Sequence, residues 1–228
     1  MVPLALPWPG QICLCGLLGR AQNHGMKDHR STDFSVKPTL TGELVVMRSF
    51  DLAHDSSAIR DWLTDPEVAL FTAGAARVTP PPLWDEEAEL RMREWYGSRG
   101  HQPDRLDLAV IDRASGHCVG EVVLNEWSPA NRSCNFRIAL TAAGRDRGLG
   151  SEAVRLTVGY GFERLGLNRI SLSVFDHNPR ARRAYEKVGF VLEGTRRGVL
   201  RYGDRRVDDH DMAILASEWR RHRGYPGR

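Results

Sequence analysis

Apolar and polar residues alternate with a period of two in the middle of the chain, a pattern typical of half-buried β-strands. The segments with this pattern are residues 106–112, 117–127 and 133–140. In the first of them, Leu106, Leu108 and Val110 share one face. Turn-forming residues at 114–116 and 128–131 separate the three segments. Because these connections are short, we predict an antiparallel meander.

The period changes to about 3.6 residues after position 150, which indicates a helix of roughly four turns. Its inner face would carry Ala153, Val154, Thr157, Val158, Gly161, Phe162 and Leu165. Gly166 suits the C-terminal cap. Ile170, Leu172 and Val174 then alternate as in a strand. A strand, a helix and a strand in this order predict a right-handed crossover between parallel strands.

Two helices are predicted before the meander, after a strand at residues 44–47. Asp55 or Ser56 can cap the first helix and Asp85 the second. Their apolar faces would be Ile59, Trp62 and Leu63 in the first helix and Leu90, Met92 and Trp95 in the second. Between them, residues 79–82 read Thr-Pro-Pro-Pro and form a loop, because consecutive prolines exclude a helix.

The C-terminal part predicts one more helix and two strands. Asn178, followed by a proline, begins the helix with a side-chain cap, and Gly189 ends it. Strands are predicted at residues 190–193 and 207–215, joined by an arginine-rich turn around Gly203.

Size and composition indicate one globular domain. The chain has 228 residues, and 41% of them are hydrophobic. We assign residues 1–38 to a disordered extension, 39–220 to the domain and 221–228 to a polar tail. A net charge of +3 is too small to indicate nucleic acid. No apolar run approaches the roughly 18 residues that a membrane span needs.

Cysteine usage favours a reduced, cytoplasmic protein. The four cysteines are Cys13, Cys15, Cys118 and Cys134, and they form neither a C-x-x-C pair nor a zinc pattern with histidine. We therefore predict no metal site. A short apolar stretch at residues 11–18 follows two prolines with no positive charge before it, which argues against a signal peptide.

The segment Arg-Asp-Arg-Gly-Leu-Gly at residues 145–150 lies between a predicted strand and a predicted helix. Glycines allow a tight turn and a close approach by a ligand, while the first N–H groups of the helix have no partner inside it. Arg145 and Arg147 can add charge-assisted contacts to phosphate. These features predict a phosphate or pyrophosphate held by backbone.

The same glycines also fit a dinucleotide-binding fingerprint. Gly148, Gly150 and Ala153 have its spacing, and Asp176 ends the next strand. A dinucleotide fold should continue with further strand–helix–strand units, whereas one short helix and an antiparallel pair follow here. A dinucleotide-dependent oxidoreductase therefore remains a minor alternative.

A second segment decides which phosphate ligand is favoured. Residues 178–190, Asn-Pro-Arg-Ala-Arg-Arg-Ala-Tyr-Glu-Lys-Val-Gly-Phe, resemble the N-x-x-[SA]-x-x-x-[YL]-x-K-x-G-F segment of GNAT acetyltransferases. Residues 145–150 resemble the pyrophosphate loop of that family. The layout is most similar to the ribosomal-protein N-terminal (Rim-type) acetyltransferases and their antibiotic-modifying relatives.

The resemblance implies an α/β (α+β) GNAT fold. Its mixed, mostly antiparallel sheet of six to seven strands would hold a central parallel pair that splays apart, flanked by about four helices. Acetyl-CoA would be the cosubstrate. The residues expected to bind it are Ile138, Ala139, Leu140, Arg145, Arg147, Gly148, Leu149, Gly150, Ser151, Asn178 and Arg182. Tyr185 would protonate the departing thiolate, although it could equally be a core aromatic residue.

The base that deprotonates the acceptor is the open part of this interpretation. Many Rim-type relatives carry Glu where this chain has Asn135, and Asn cannot act as a base. Glu126 is our preferred catalytic base, with Glu121 and His177 as alternatives. Regular alternation would place Glu126 and Glu121 on opposite faces of the strand. Deprotonating a lysine amine at neutral pH requires about 4 kcal/mol, against roughly 1 kcal/mol for an α-amine.

The sequence therefore predicts an N-acetyltransferase that moves an acetyl group to a primary amine by direct attack in a ternary complex. The acceptor would be a protein N-terminus or a small amine, and the protein a monomer or homodimer without membrane or nucleic-acid partners. A CoA-binding module without turnover is the alternative, which the departure at Asn135 keeps open.

Overall fold

The computed structural model describes residues 32–72, 84–202 and 204–222. Its strands are β1 (Leu40–Thr41), β2 (Val45–Arg48), β3 (Leu106–Asp112), β4 (Cys118–Ser128), β5 (Ser133–Leu140), β6 (Arg169–Phe175), β7 (Val191–Tyr202) and β8 (Arg205–Leu215). Its helices are α1 (Leu52–Thr64), α2 (Pro66–Thr72), α3 (Glu86–Arg99), α4 (Leu149–Glu163), α5 (Pro179–Val188) and α6 (Ala216–His222).

The strands form one sheet in the order β1-β2-β3-β4-β5-β6-β8-β7. Only β5 and β6 run parallel to each other, and the other neighbours are antiparallel. The predicted mixed sheet with a central parallel pair is confirmed, and β3 and β5 have the predicted bounds. The described residues contain eight strands and six helices, more than predicted. The additional β1, α2 and α6 have 2, 7 and 7 residues, too few to show a clear period.

Two hydrophobic layers cover opposite faces of the sheet. On one face, α4 and α5 pack against residues such as Val122, Phe136 and Ile170 in the main core. On the other face, α1 and α3 form a smaller core around Trp62 and Tyr96. The first layer accounts for the predicted inner face of α4, where Ala153, Val154, Thr157, Val158 and Gly161 are buried.

Asp51 rather than Asp55 or Ser56 caps α1, so that prediction is wrong. The side chain of Asp51 accepts from the Ala53 N–H. Asp55 is 1% exposed and accepts two hydrogen bonds from Arg48, at 2.7 and 3.0 Å. Asp55 lies inside the first turn of α1, and its carboxylate also accepts from the Asp51 N–H at 2.8 Å, so the two aspartates close the helix start from both sides.

The prediction for α3 is partly right. Asp85 caps the helix by accepting from the Ala88 N–H at 2.7 Å, and Met92 is buried. Leu90 was predicted to face inward, but it is 57% exposed. Tyr96, one turn beyond Met92, takes the inner position, so the apolar face is rotated from the predicted one.

The C-terminal hairpin is much longer than predicted. Residues 190–193 were assigned to a short strand, whereas β7 continues through Tyr202. The arginine-rich segment stays extended because Arg196 pairs with Asp209 and Asp211 across the hairpin. Cross-strand charge pairs of this kind support a strand that hydrophobic alternation alone does not reveal.

Residues 32–38, which fall in the predicted extension, pack onto the domain. Phe34 is 1% exposed and contacts Trp127 edge-on at 5.6 Å, and the Thr32 hydroxyl donates to the Leu165 carbonyl at 2.7 Å. The rest of the predicted extension, with Cys13 and Cys15, lies outside the described residues, as does the loop at residues 79–82. The domain boundaries themselves stay a prediction.

Candidate active site

The parallel strands β5 and β6 stay together over only three residue pairs, which end at Asn135 and Ser171. Beyond that point β5 remains on β4 through Leu140, and β6 remains on β8 through Phe175. The two strands therefore diverge and leave a gap in the middle of the sheet. We call this gap the β5–β6 opening.

A cleft of about 1550 Å³ passes through the β5–β6 opening and reaches both faces of the sheet. On the α5 side it is lined by Ala181, Ala184 and Tyr185, and on the α3 side by Tyr96 and Arg137, among others. Two molecules entering from opposite faces can therefore meet inside the sheet. Of the predicted residues, Ile138, Ala139, Leu140, Gly148, Gly150, Ser151, Asn178, Tyr185, Glu126 and Arg145 line the cleft.

The N-terminus of α4 points its free backbone groups at the end of this cleft. Gly148 precedes the helix in the left-handed conformation, with φ 82°, and no side chain caps the helix. The helices α1, α3 and α5 are each capped by Asp or Asn. The Leu149 side chain is 2% exposed in the core, so only its backbone can reach a ligand. The first turn of α4 thus has the donors and the dipole direction of an anion site.

Arg145 was predicted to hold phosphate, but its guanidinium is already paired with α2. Its two Nη atoms contact Asp65 Oδ2 at 2.5 Å and Glu67 Oε2 at 2.6 Å, and its Nε donates to the Leu140 carbonyl at 3.0 Å. The side chain is 10% exposed. These contacts engage all three guanidinium nitrogens, so in this conformation Arg145 fixes the loop.

Arg147 lies outside the cleft lining. Its Nη1 donates to Asp112 Oδ2 at 2.9 Å and to the Ala143 carbonyl at 3.1 Å. The guanidinium hydrogen bond from Arg147 lowers the pKa of Asp112. Arg182 also lies outside the lining and pairs with Glu186 at 2.8 Å on the exposed side of α5. Both arginines are held by local acids.

Asn178 and Tyr185 stand where α5 meets the cleft. The Asn178 side chain accepts from the Ala181 N–H at 3.1 Å, so it caps the helix as predicted and also lines the cleft. Tyr185 is 7% exposed and packs edge-on against Phe136 at a centroid distance of 6.2 Å. Burial raises the pKa of Tyr185, which keeps its hydroxyl protonated near neutral pH.

Glu126 and Glu121 both line the cleft, which reaches both faces of the sheet, and the prediction of opposite faces held only for a regular β4. The β4–β5 register shifts between Asn125 and Ser128, and Glu126 has a φ of 55°. This bulge breaks the period of two and turns Glu126 into the cleft. Glu126 is exposed, whereas Glu121 is 7% exposed. At the adjoining position, Asn135 donates to Asn125 at 3.1 Å.

Sequence reasoning missed a buried charged cluster on the α3 side of the cleft. Glu121 lies near Arg137 and the Tyr96 hydroxyl, and next to them Arg105 pairs with Asp107 at 2.6 and 2.7 Å. Burial raises the pKa of Glu121 and lowers that of Arg137 to about 10. The signal available in the sequence was one charged residue within each of three predicted strands, at positions 107, 121 and 137.

His177, an alternative base, lies outside the cleft lining. Its ring lies between Phe71 and Phe175, each at a centroid distance of 5.5 Å. The aromatic contacts give it a packing role at the start of α5. The described residues contain no cluster of three or more metal-binding side chains. None of the helices in the described ranges combines the length and hydropathy of a membrane span.

Comparison with known proteins agrees with this geometry. Residues 45–191 match the family described as Acetyltransferase (GNAT) domain. Spermidine N(1)-acetyltransferase of Escherichia coli (strain K12) is 30% identical over 108 residues, which are 47% of this chain and 57% of the relative. The putative ribosomal N-acetyltransferase YdaF of Bacillus subtilis is 27% identical over 104 residues, 46% of this chain and 57% of that protein. The chain thus spans under two thirds of these relatives.

A solved structure extends the similarity over most of the fold. Spermidine N-acetyltransferase from Vibrio cholerae, in complex with CoA and spermine, superposes with a TM-score of 0.65 at 25% identity. The superposition covers 78% of this chain and 99% of that one.

Proposed function

The chain belongs to the GNAT acetyltransferase family, and from that premise we propose that it transfers the acetyl group of acetyl-CoA to a primary amine by direct attack. The acceptor would be a small amine or a peptide N-terminus. The observation that carries this proposal is the β5–β6 opening next to the uncapped N-terminus of α4. It offers one site for an extended arm and another for a phosphate, both on the lining of one cleft.

The donor side of the site would use mostly backbone. Residues 138–140 can hydrogen-bond the pantetheine amides along the diverging edge of β5, while the N–H groups of Leu149, Gly150 and Ser151 would hold the pyrophosphate. Asn178 would contact the pantetheine arm with its side-chain amide. Arg145 would act indirectly by fixing the loop, and Arg147 and Arg182 would reach a phosphate only after leaving their acidic partners.

Acetyl-CoA supplies an activated thioester, and the chain supplies proton transfer and positioning. We assign Tyr185 as the acid for the departing thiolate, since this residue lines the cleft and its buried hydroxyl stays protonated. We assign Glu126 as the base, acting directly or through water on the acceptor ammonium. Glu126 is open to solvent at the bulge, whereas Glu121 is enclosed by Tyr96 and Arg137. An α-amine would make the smallest demand on such a base.

Two measurements test the proposal. Titration calorimetry should show binding of acetyl-CoA, and thiol release should appear when primary amines are added. Binding without thiol release for any amine would favour the CoA-binding module, and binding of NAD in place of acetyl-CoA would favour the oxidoreductase. Glu126→Gln should lower kcat/KM about 100-fold or more without changing acetyl-CoA affinity. Glu121→Gln is the matched variant, and a larger loss there would transfer the role of base to Glu121.

A further inference from the structure

The half of the cleft that faces away from α5 contains a buried carboxylate with an unused oxygen. Asp209, on β8, is 5% exposed and lines the cleft. Its Oδ2 contacts Arg196 Nη2 at 2.5 Å. Its Oδ1 is shielded from solvent and has no partner at normal hydrogen-bond geometry among the described residues, although the Ser173 hydroxyl on β6 lies near enough to interact with this carboxylate. Buried polar oxygens are normally satisfied, so an unsatisfied one in a cleft indicates a place for a ligand.

A second carboxylate enlarges the negative charge at this point. Asp211 lies two residues further on the same strand and also lines the cleft. The same Arg196 contacts Asp211 Oδ2 through its Nε at 3.3 Å. One guanidinium is thus shared by two carboxylates, which leaves the pair with a net negative charge. The neighbouring Glu193 differs, because it is matched by Arg169 at 2.6 and 2.5 Å.

The surrounding wall has the same sign. Among the described residues on the sheet and at positions 104–105, seven carboxylates and four guanidinium groups line the cleft. The cleft as a whole is balanced, because Asp146, Arg145, Arg180, Arg183 and Lys187 also line it. The excess of negative charge is confined to the part formed by the sheet and residues 104–105, which would attract cations. The charge is concentrated on the face opposite α5, which is where the acceptor would enter.

The position of the pair fits a group that does not itself react. Asp211 is paired with Ser173 and Asp209 with Phe175, both on the β6 side of the β5–β6 opening. The two aspartates therefore stand one strand beyond the opening, at a strand spacing of about 4.8 Å. An amine in the opening would be roughly 5–10 Å from their carboxylates, a distance that a few methylene groups span.

From this geometry we infer that Asp209 and Asp211 bind a second cationic group of the acceptor, so that the enzyme selects amines carrying another positive charge close to the reacting one. This inference rests on the proposed acetyl transfer and names its substrate class. Di- and polyamines have this chemistry, and so do peptide N-termini followed by a basic residue. A cation here would satisfy the free oxygen of Asp209 and balance the pair.

The test compares acceptors that differ only in the second charge. Thiol release at saturating acetyl-CoA would be measured for 1-aminobutane and 1,4-diaminobutane, and for the peptides Ala-Ala and Ala-Lys. The wild type should prefer the dicationic member of at least one pair about tenfold or more in kcat/KM, or about 1.4 kcal/mol. For the diamine, this preference must exceed the factor of two that arises from two equivalent amines. The pair with the larger ratio shows whether the preferred acceptor is a small diamine or a peptide N-terminus.

Asp209→Asn keeps the shape and removes the charge, so it should reduce the preference to about threefold or less, while kcat/KM for the member without the second cationic group stays within about twofold. Asp211→Asn should give a smaller loss and serves as the second variant if Asp209→Asn does not fold. Asp204→Asn is the control, because Asp204 is a fully exposed carboxylate on the same hairpin and lies outside the cleft lining. It should keep the wild-type preference.

Two results would overturn the inference: a wild-type preference near one in both pairs, or equal losses in Asp209→Asn for acceptors with one and with two ammonium groups. Either would leave acetyl transfer itself intact, because the acceptors with a single ammonium group would still be acetylated. Thiol release with none of the four acceptors, together with no binding of acetyl-CoA, would instead contradict the proposed function.

Discussion

Replacing Arg145 by Met should destabilise the fold more than it directly weakens phosphate binding. The guanidinium is 10% exposed and makes three contacts, to Asp65, Glu67 and the Leu140 carbonyl. Removing it leaves two carboxylates and a carbonyl without this partner. Breaking a buried ion pair costs about 3–5 kcal/mol.

Solvent screening lowers that figure, because the side chain of Glu67 is 40% exposed while that of Asp65 is 18% exposed. We therefore expect a loss of about 2–4 kcal/mol in the free energy of unfolding. For a domain of this size, that loss lowers the Tm by roughly 5–15 °C. Urea and thermal unfolding would measure it, with acetyl-CoA affinity measured below the transition.

Two comparisons make this prediction specific. Combining Arg145→Met with Glu67→Gln should cost less than the sum of the single changes, because both remove the same contact. Arg182→Met removes an exposed pair one turn apart and should change stability by less than about 0.5 kcal/mol. A stable Arg145→Met variant with acetyl-CoA affinity lowered tenfold would show that Arg145 contacts the ligand directly, and the structural reasoning would be refuted.

Three further changes test other parts of the site. Tyr185→Phe should lower kcat about 100-fold and leave the Kd for acetyl-CoA within about twofold, as measured by thiol release and calorimetry; an unchanged kcat would remove Tyr185 from the mechanism. Gly148→Ala should cost roughly 1–2 kcal/mol of stability because φ is 82° there, and a thermal melt equal to that of the wild type would contradict it. Burial raises the pKa of Glu121 above 4.5, so the folded state holds this proton more tightly than the unfolded state. Wild-type stability should therefore fall relative to Glu121→Gln as the pH rises from about 4.5 through the raised pKa, and parallel pH profiles of the two proteins would argue against a buried, titrating Glu121.

The main elements of the fold could be predicted because their patterns are long and regular. The bounds of β3 and β5, the cap at Asn178 and the inner face of α4 all follow from periodicity and capping chemistry. The cap of α1 could not be predicted, because the choice between Asp51 and Asp55 depends on the buried partner Arg48, seven residues before Asp55. The length of the β7–β8 hairpin could not be predicted for a similar reason, because charge pairs between the two strands support it.

The site was predictable in its backbone and less so in its side chains. The glycine turn and the helix that follows it define an anion site from sequence alone, whatever the neighbouring arginines do. Which acid pairs with Arg145 depends on α2, which is 78 and 80 residues away from it in sequence. The bulge at Glu126 and the acidic pair at Asp209 likewise arise from strand register, which period-two alternation does not encode.

The central claim is that acetyl-CoA occupies the β5–β6 opening and the N-terminus of α4. Amide hydrogen exchange with and without acetyl-CoA tests it most directly, because it reports on backbone groups segment by segment. We predict slower exchange at residues 138–140 and 149–151 and little change in β2 and β7. Saturation with acetyl-CoA that leaves both segments unchanged, or that protects only another part of the chain, would contradict the account.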